Sequence, residues 1–138
     1  MLLNRLTPTS RTLKFARLFS TLENTFMAQD LKFYPSTNLK PKPGPDHAYT
    51  FGGITTDYML DIDYDKANGG WQKPKIVANA PFELDPSNAT LHYAIECFEG
   101  AKAYRTVDDR IIMFRCDENF KRMNNSHKQL GIPLFNVE

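Results

Sequence analysis

The chain is 138 residues long and 41% hydrophobic, enough for a single domain with an apolar core. Its formal charge of +1 is uneven: residues 1–19 hold four of the 17 basic residues and no acid, and the remaining 13 bases against 16 acids exclude a nucleic-acid surface built on charge. Two cysteines without CxxC spacing and three scattered histidines point to a reduced chain without a metal cluster, and no apolar run reaches the length of a membrane span.

The opening thirty residues are basic, rich in Ser and Thr, and free of acids until Glu23. On a helical wheel of residues 11–19, Arg11, Lys14 and Arg17 share one arc, while Leu13, Phe15, Ala16 and Phe19 share the other. This is the pattern of a mitochondrial presequence, whose cationic amphipathic helix is drawn by the membrane potential and bound by its apolar face. Residues 1–26 are therefore assigned as a targeting segment, with cleavage expected near Phe19–Ser20 and delivery to the matrix. Initiation at Met27 would omit the address and leave the product in the cytosol.

Residues 27–46 read as an extended proline-rich linker. Four prolines between positions 35 and 46 fix their own φ and push their predecessors out of helix. The folded domain is expected from about His47, so that residues 47–138 form a partial small domain. Over positions 58–65, Tyr58, Leu60, Ile62 and Tyr64 alternate with Met59, Asp61, Asp63 and Asp65, which predicts a half-buried strand. Lys66 to Gly70 supply a turn, and residues 71–78 return as a second strand, which Pro74 marks as an edge. Asp61, Asp63 and Asp65 superficially resemble a metal tripod, but alternation places them on the solvent face. Gly52-Gly53 is too short for a phosphate loop and reads as a backbone kink.

Ser87 or Asn88 is the expected N-cap of a helix over 89–98, with Leu91, Ala94, Ile95 and Phe98 as its buried face and Gly100 as C-cap. Residues 101–106 and 111–114 read as a hairpin about a turn at Val107 to Arg110. Asp117 is the expected cap of a second helix, with Phe120, Met123, His127 and Leu130 as its inner stripe and Gly131 and Pro133 as its stop. The fold class is α+β, a small antiparallel-sheet domain with flanking helices. Glu96 and Glu99, three apart, read as a solvated helix face, and nothing local depresses the pKa of Lys102 to make it a Schiff-base lysine.

Three segments go further: FGGITTDYML, LHYAIECFEGAKAYRTVDDRIIMFR and ENFKRMNNSHKQLGIP. Together they resemble the amino-terminal domain of the eukaryotic branched-chain amino acid aminotransferases, from about Lys40 onward. Such proteins are pyridoxal 5'-phosphate enzymes of fold type IV that work as homodimers. The resemblance implies that Arg122 binds the cofactor phosphate and that Phe51, Tyr93 and Phe98 line the pocket for the branched side chain. It implies exchange of the amino group of leucine, isoleucine or valine with 2-oxoglutarate, with no nucleic-acid or membrane partner. Ala101 and Cys97 depart from the pattern of many relatives. The lysine that forms the Schiff base lies in the family's carboxy-terminal domain, so no catalytic residue is assigned here and the 138 residues alone are expected to be inactive. Two other readings stand beside this one: a D-amino-acid aminotransferase or aminodeoxychorismate lyase of the same fold, and a non-catalytic subunit that binds a full-length partner.

Overall fold

The computed structural model describes residues 25–137. The expected targeting helix over residues 11–19 and its expected cleavage position lie outside them. Within them the order is β1 (Lys32–Phe33), β2 (Tyr58–Asp61), β3 (Tyr64–Asp65), β4 (Gly70–Trp71), β5 (Lys75–Ala78), α1 (Ala89–Tyr93), β6 (Ala103–Arg105), β7 (Ile111–Met113) and α2 (Cys116–Leu130). The fold is α+β: three small sheets and two helices.

The largest sheet has the order β1-β5-β2, with β2 antiparallel and β1 parallel to the central β5. Pro74 therefore does not mark an edge, contrary to the sequence reading. It precedes β5, where its missing N–H costs no ladder bond, and its carbonyl accepts the Lys32 N–H at 3.0 Å. Paired structure also begins upstream of His47. Phe33 pairs with Ile76, and its ring lies 5.1 Å from that of Tyr58. The proline-rich stretch is anchored as well: Ser36 N–H donates to the Tyr58 hydroxyl at 3.1 Å, and Lys40 N–H to the Asp57 carboxylate at 2.8 Å.

The long alternating strand expected over 58–65 is broken in two. Met59 is half-buried and Leu60 exposed, the reverse of the alternation. The break comes where β3 leaves the main sheet and pairs with β4 through Tyr64 and Trp71. Asp61 and Asp63 both hold Lys75, at 3.2 and 3.1 Å, and Asp65 accepts from Ala67 N–H to cap the 3-10 turn at Lys66–Asn68. Gly69 sits at φ 88°, a left-handed angle that favours glycine and closes that turn.

Among the described residues no apolar side chain is fully buried, and packing concentrates in one aromatic cluster. Phe135 is its hub, with ring centroids 5.6 Å from His127, 5.8 Å from Phe26, 6.1 Å from Trp71 and 6.4 Å from Phe120. Hydrogen bonds fasten the segment after α2 to this cluster. Trp71 Nε1–H donates to the Leu134 carbonyl at 2.8 Å, and the Asn124 amide donates to the Phe135 carbonyl at 2.7 Å while accepting its N–H at 3.3 Å. His127, only 5% exposed, contacts the Pro133 carbonyl through Nδ1 at 2.9 Å, so that nitrogen carries the proton.

Both helices correct the sequence reading. α1 is capped by Asn88 as expected, its side chain accepting from Thr90 N–H, but it stops at Tyr93 rather than Phe98. Ala94, not Gly100, takes the left-handed C-cap, at φ 51°. Leu91, Ile95 and Phe98 are exposed, so the inferred apolar stripe is not buried. A helix this short is marginal on its own, and residues 99–100 are held by α2 through contacts described below. In α2 the cap position is Arg115, without a side-chain cap bond; Asp117 lies inside the first turn, where its charge suits the helix dipole and pairs with Lys121. Gly131 ends the helix at φ 71°, as read from the sequence.

Candidate functional site

The site is built on the exposed side of α2. Arg122 lies in its second turn, on the side away from His127 and the aromatic cluster. The guanidinium meets the Glu99 carboxylate through both edges of a fork: Nε donates to Oε2 at 2.7 Å and Nη2 to Oε1 at 2.5 Å. Two planar groups matched in this way give the strongest ordinary hydrogen-bond geometry between side chains. The Glu99 side chain is 13% exposed and that of Arg122 is 62% exposed. An enclosed acid thus holds an accessible cation.

Glu99 is itself held. Its Oε1 accepts from Gly100 N–H at 2.9 Å and from the Asn119 amide at 3.2 Å, and that amide also donates to the Gly100 carbonyl at 2.6 Å. The hydrogen bonds from Arg122 are the largest influence on the acid. They outweigh the cost of its partial burial and hold its pKa at about 2, against an ordinary 4.5. The same pairing raises the pKa of Arg122. Periodicity placed Glu99 on a solvated helix face; 20 and 23 residues separate it from Asn119 and Arg122, a distance at which no periodic pattern reports contact.

Arg122 borders an open groove of about 510 Å³, together with Phe114, Arg115, Glu118, Asn119, Lys121 and Asn125. Donors and cations dominate this lining. Lys121 is partly compensated by Asp117 at 3.1 Å and Glu118 at 2.7 Å. The volume is within the roughly 300–1,000 Å³ typical of ligand pockets.

The chemistry of the groove suits a phosphate. A guanidinium has five N–H donors, of which Glu99 takes two, leaving the others for an anion's oxygens. The residues present therefore fit the phosphate of a pyridoxal cofactor on one side.

The other three candidates are placed differently. Phe51 stands at the tip of a turn closed by Gly53 N–H to the Thr50 carbonyl at 3.0 Å. Gly52 there is at φ 72°, and a side chain on Gly53 would strike the Thr50 hydroxyl, so the pair forms the backbone kink read from the sequence. Phe51 and Phe98 are almost wholly exposed, and Tyr93 is 78% exposed at the end of α1. None of the three lines the groove beside Arg122, and no ring contact joins them. Lys102 is exposed just before β6, and Cys97 and Cys116 are free thiols. No described helix is long and apolar enough to cross a membrane.

No family model matches the chain. Individual proteins do. It is 44% identical over 114 residues to the cytosolic branched-chain-amino-acid aminotransferase of Mus musculus, covering 83% of this chain and 29% of that protein. The cytosolic branched-chain-amino-acid aminotransferase of Saccharomyces cerevisiae is 46% identical over 103 residues, covering 75% of this chain and 27% of its own length. Branched-chain-amino-acid transaminase 1 of Bacillus subtilis is 44% identical over 99 residues, covering 72% and 27%. Across most of its length, then, the chain is similar to branched-chain-amino-acid aminotransferases, and it spans less than a third of the length of these curated relatives.

Proposed function

We propose that this chain supplies the amino-terminal part of a pyridoxal 5'-phosphate-dependent aminotransferase for leucine, isoleucine and valine, with 2-oxoglutarate as the other amino carrier. The observation that carries the reading is the accessible, carboxylate-anchored Arg122 in a donor-rich groove, within a stretch similar to such aminotransferases. Arg122 would bind the cofactor phosphate with its remaining N–H groups, and Asn119 and Asn125 border the same space. The bound cofactor supplies an electron sink for the substrate's α-carbon. The residues of this chain bind and orient.

Phe51, Tyr93 and Phe98 would form the wall for the branched side chain, and their exposure leaves their faces available for that contact. Aromatic walls suit aliphatic substrates because buried apolar area contributes roughly 25 cal/mol per Å². A methylene more or less changes binding by about 1–3 kcal/mol, so one pocket can serve all three amino acids with graded preference. The bond-forming lysine would come from the part of the relatives' length that this chain does not span. In this reading the enzyme is a homodimer, and the basic opening segment directs it to the mitochondrial matrix.

The test compares two preparations, the 138-residue chain and a polypeptide that carries this segment joined to a lysine-bearing carboxy-terminal domain of a similar aminotransferase. The joined form should transfer the amino group of leucine, isoleucine and valine to 2-oxoglutarate, and the 138-residue chain should not. Turnover of D-alanine or aminodeoxychorismate with none on leucine would refute the substrate assignment. A stoichiometric borohydride-reducible adduct at Lys102 would refute the claim that the bond-forming lysine lies elsewhere.

A further inference from the structure

We propose that Glu99 is the positioning residue of the Arg122 site, gripping one edge of the guanidinium so that the opposite edge is presented to a phosphate monoester in the groove. This rests on the reading of Arg122 as a phosphate ligand. Three observations carry it. Arg122 lines the groove and Glu99 does not, so the carboxylate that holds the guanidinium does not itself border the open space. Glu99 occupies only Nε and Nη2, leaving Nη1 unused by that pair. The acid is anchored by Gly100 and Asn119, and the cation it holds is accessible.

A long, exposed arginine ordinarily samples many rotamers, and ordering it weakens binding. Here the ordering is done beforehand. A residue pre-set in this way binds a planar or trigonal anion with less loss of freedom than an untethered one. The opposite role is also physically definite: a carboxylate that competes with phosphate for the same donors and must be displaced. The two roles differ in sign. Glu99 stays ionised far below neutral pH, so its grip does not vary over the physiological range.

Pyridoxamine 5'-phosphate and pyridoxamine serve as probes, because neither carries an aldehyde that would react with lysines indiscriminately. Each is titrated into the 138-residue chain while the backbone amide resonances of positions 119, 122 and 125, which border the groove and exist in every variant, are followed. The ratio of the two affinities isolates the phosphate contribution. Glu99→Gln should lower that ratio about tenfold, the loss expected for one charge-assisted anchor, and Glu99→Asp should restore part of it. A ratio unchanged or raised in Glu99→Gln overturns the proposal and, if raised, makes Glu99 a competitor. Where circular dichroism shows Glu99→Gln unfolded, Asn119→Ala takes its place, with about a threefold loss expected from one weaker anchor; an unchanged ratio overturns the proposal equally. Arg122→Gln separates the two claims. If it leaves the ratio unchanged, or the parent chain shows no preference for the phosphorylated probe, the reading of Arg122 itself fails.

Discussion

Phe135→Ala tests where this fold is held together. The ring touches four other rings, from Phe26 at one end of the described chain to Trp71 on β4 and Phe120 and His127 on α2. Truncating a fully buried phenylalanine costs roughly 3–5 kcal/mol. Phe135 is half-buried, which scales that to about 2 kcal/mol, and the loss of its aromatic pairings, each worth about 0.5–1.5 kcal/mol beyond area, raises the expectation to about 2–3 kcal/mol. With a urea m-value of roughly 1–3 kcal/mol per molar, the midpoint should fall by about 1–2 M. The assay is built in. Trp71, the one tryptophan in the chain, has its ring 6.1 Å from Phe135 and its N–H on the adjoining Leu134 carbonyl, so its fluorescence reports this cluster directly. Val107→Ala, at a fully exposed position, is the control and should change stability by less than about 0.5 kcal/mol. A Phe135→Ala midpoint indistinguishable from that control would refute the assignment of the cluster as the stabilising centre.

Asn124→Ala should destabilise the chain by about 1–3 kcal/mol in the same urea assay, because it strands the Phe135 N–H and carbonyl together; Asn124→Asp should fall between it and the parent, since only the donor is lost. The Glu99 carboxylate should titrate with a midpoint near 2 by carbon NMR. A folded pKa below the ordinary 4.5 means that the ion pair contributes stability above that value and loses it as pH falls toward about 2, so melting temperature should drop through this window in the parent and less so in Glu99→Gln. A Glu99 midpoint near 4.5 would show that the pair does not form in solution. Lys75 has the opposite sign: the hydrogen bonds it donates to Asp63 first and then Asp61 raise its pKa, so its stabilisation is present below the ordinary lysine value and fades as pH rises through the higher folded one. The difference in melting temperature between parent and Lys75→Gln should be constant from neutral pH to mildly alkaline and shrink only beyond that; a difference that shrinks below pH 9 or so contradicts the clamp.

Features set by neighbours along the chain could be read from residues alone. The Asn88 cap, the Gly131 stop, the kink at Gly52-Gly53 and the hairpin of β6 and β7 about residues 107–110 each follow from local backbone preferences, and each is present. Arg122 was marked by motif-level resemblance, not by a local backbone preference. Tertiary structure decided what local rules cannot express. It ended α1 at Tyr93, where Ala94 turns left-handed, and it bound Glu99 and Gly100 to Arg122 and Asn119 of α2. It placed β1 beside β5 across 43 residues and made Phe135, in a segment without periodicity, the hub of the packing. Contacts between residues so far apart leave no period in the chain, since they depend on loop closures whose cost only the assembled fold repays. The pairing of Glu99 with Arg122 is of this kind. Family resemblance made Arg122 a candidate phosphate ligand; only the fold shows which acid holds it and which donors that acid leaves unused.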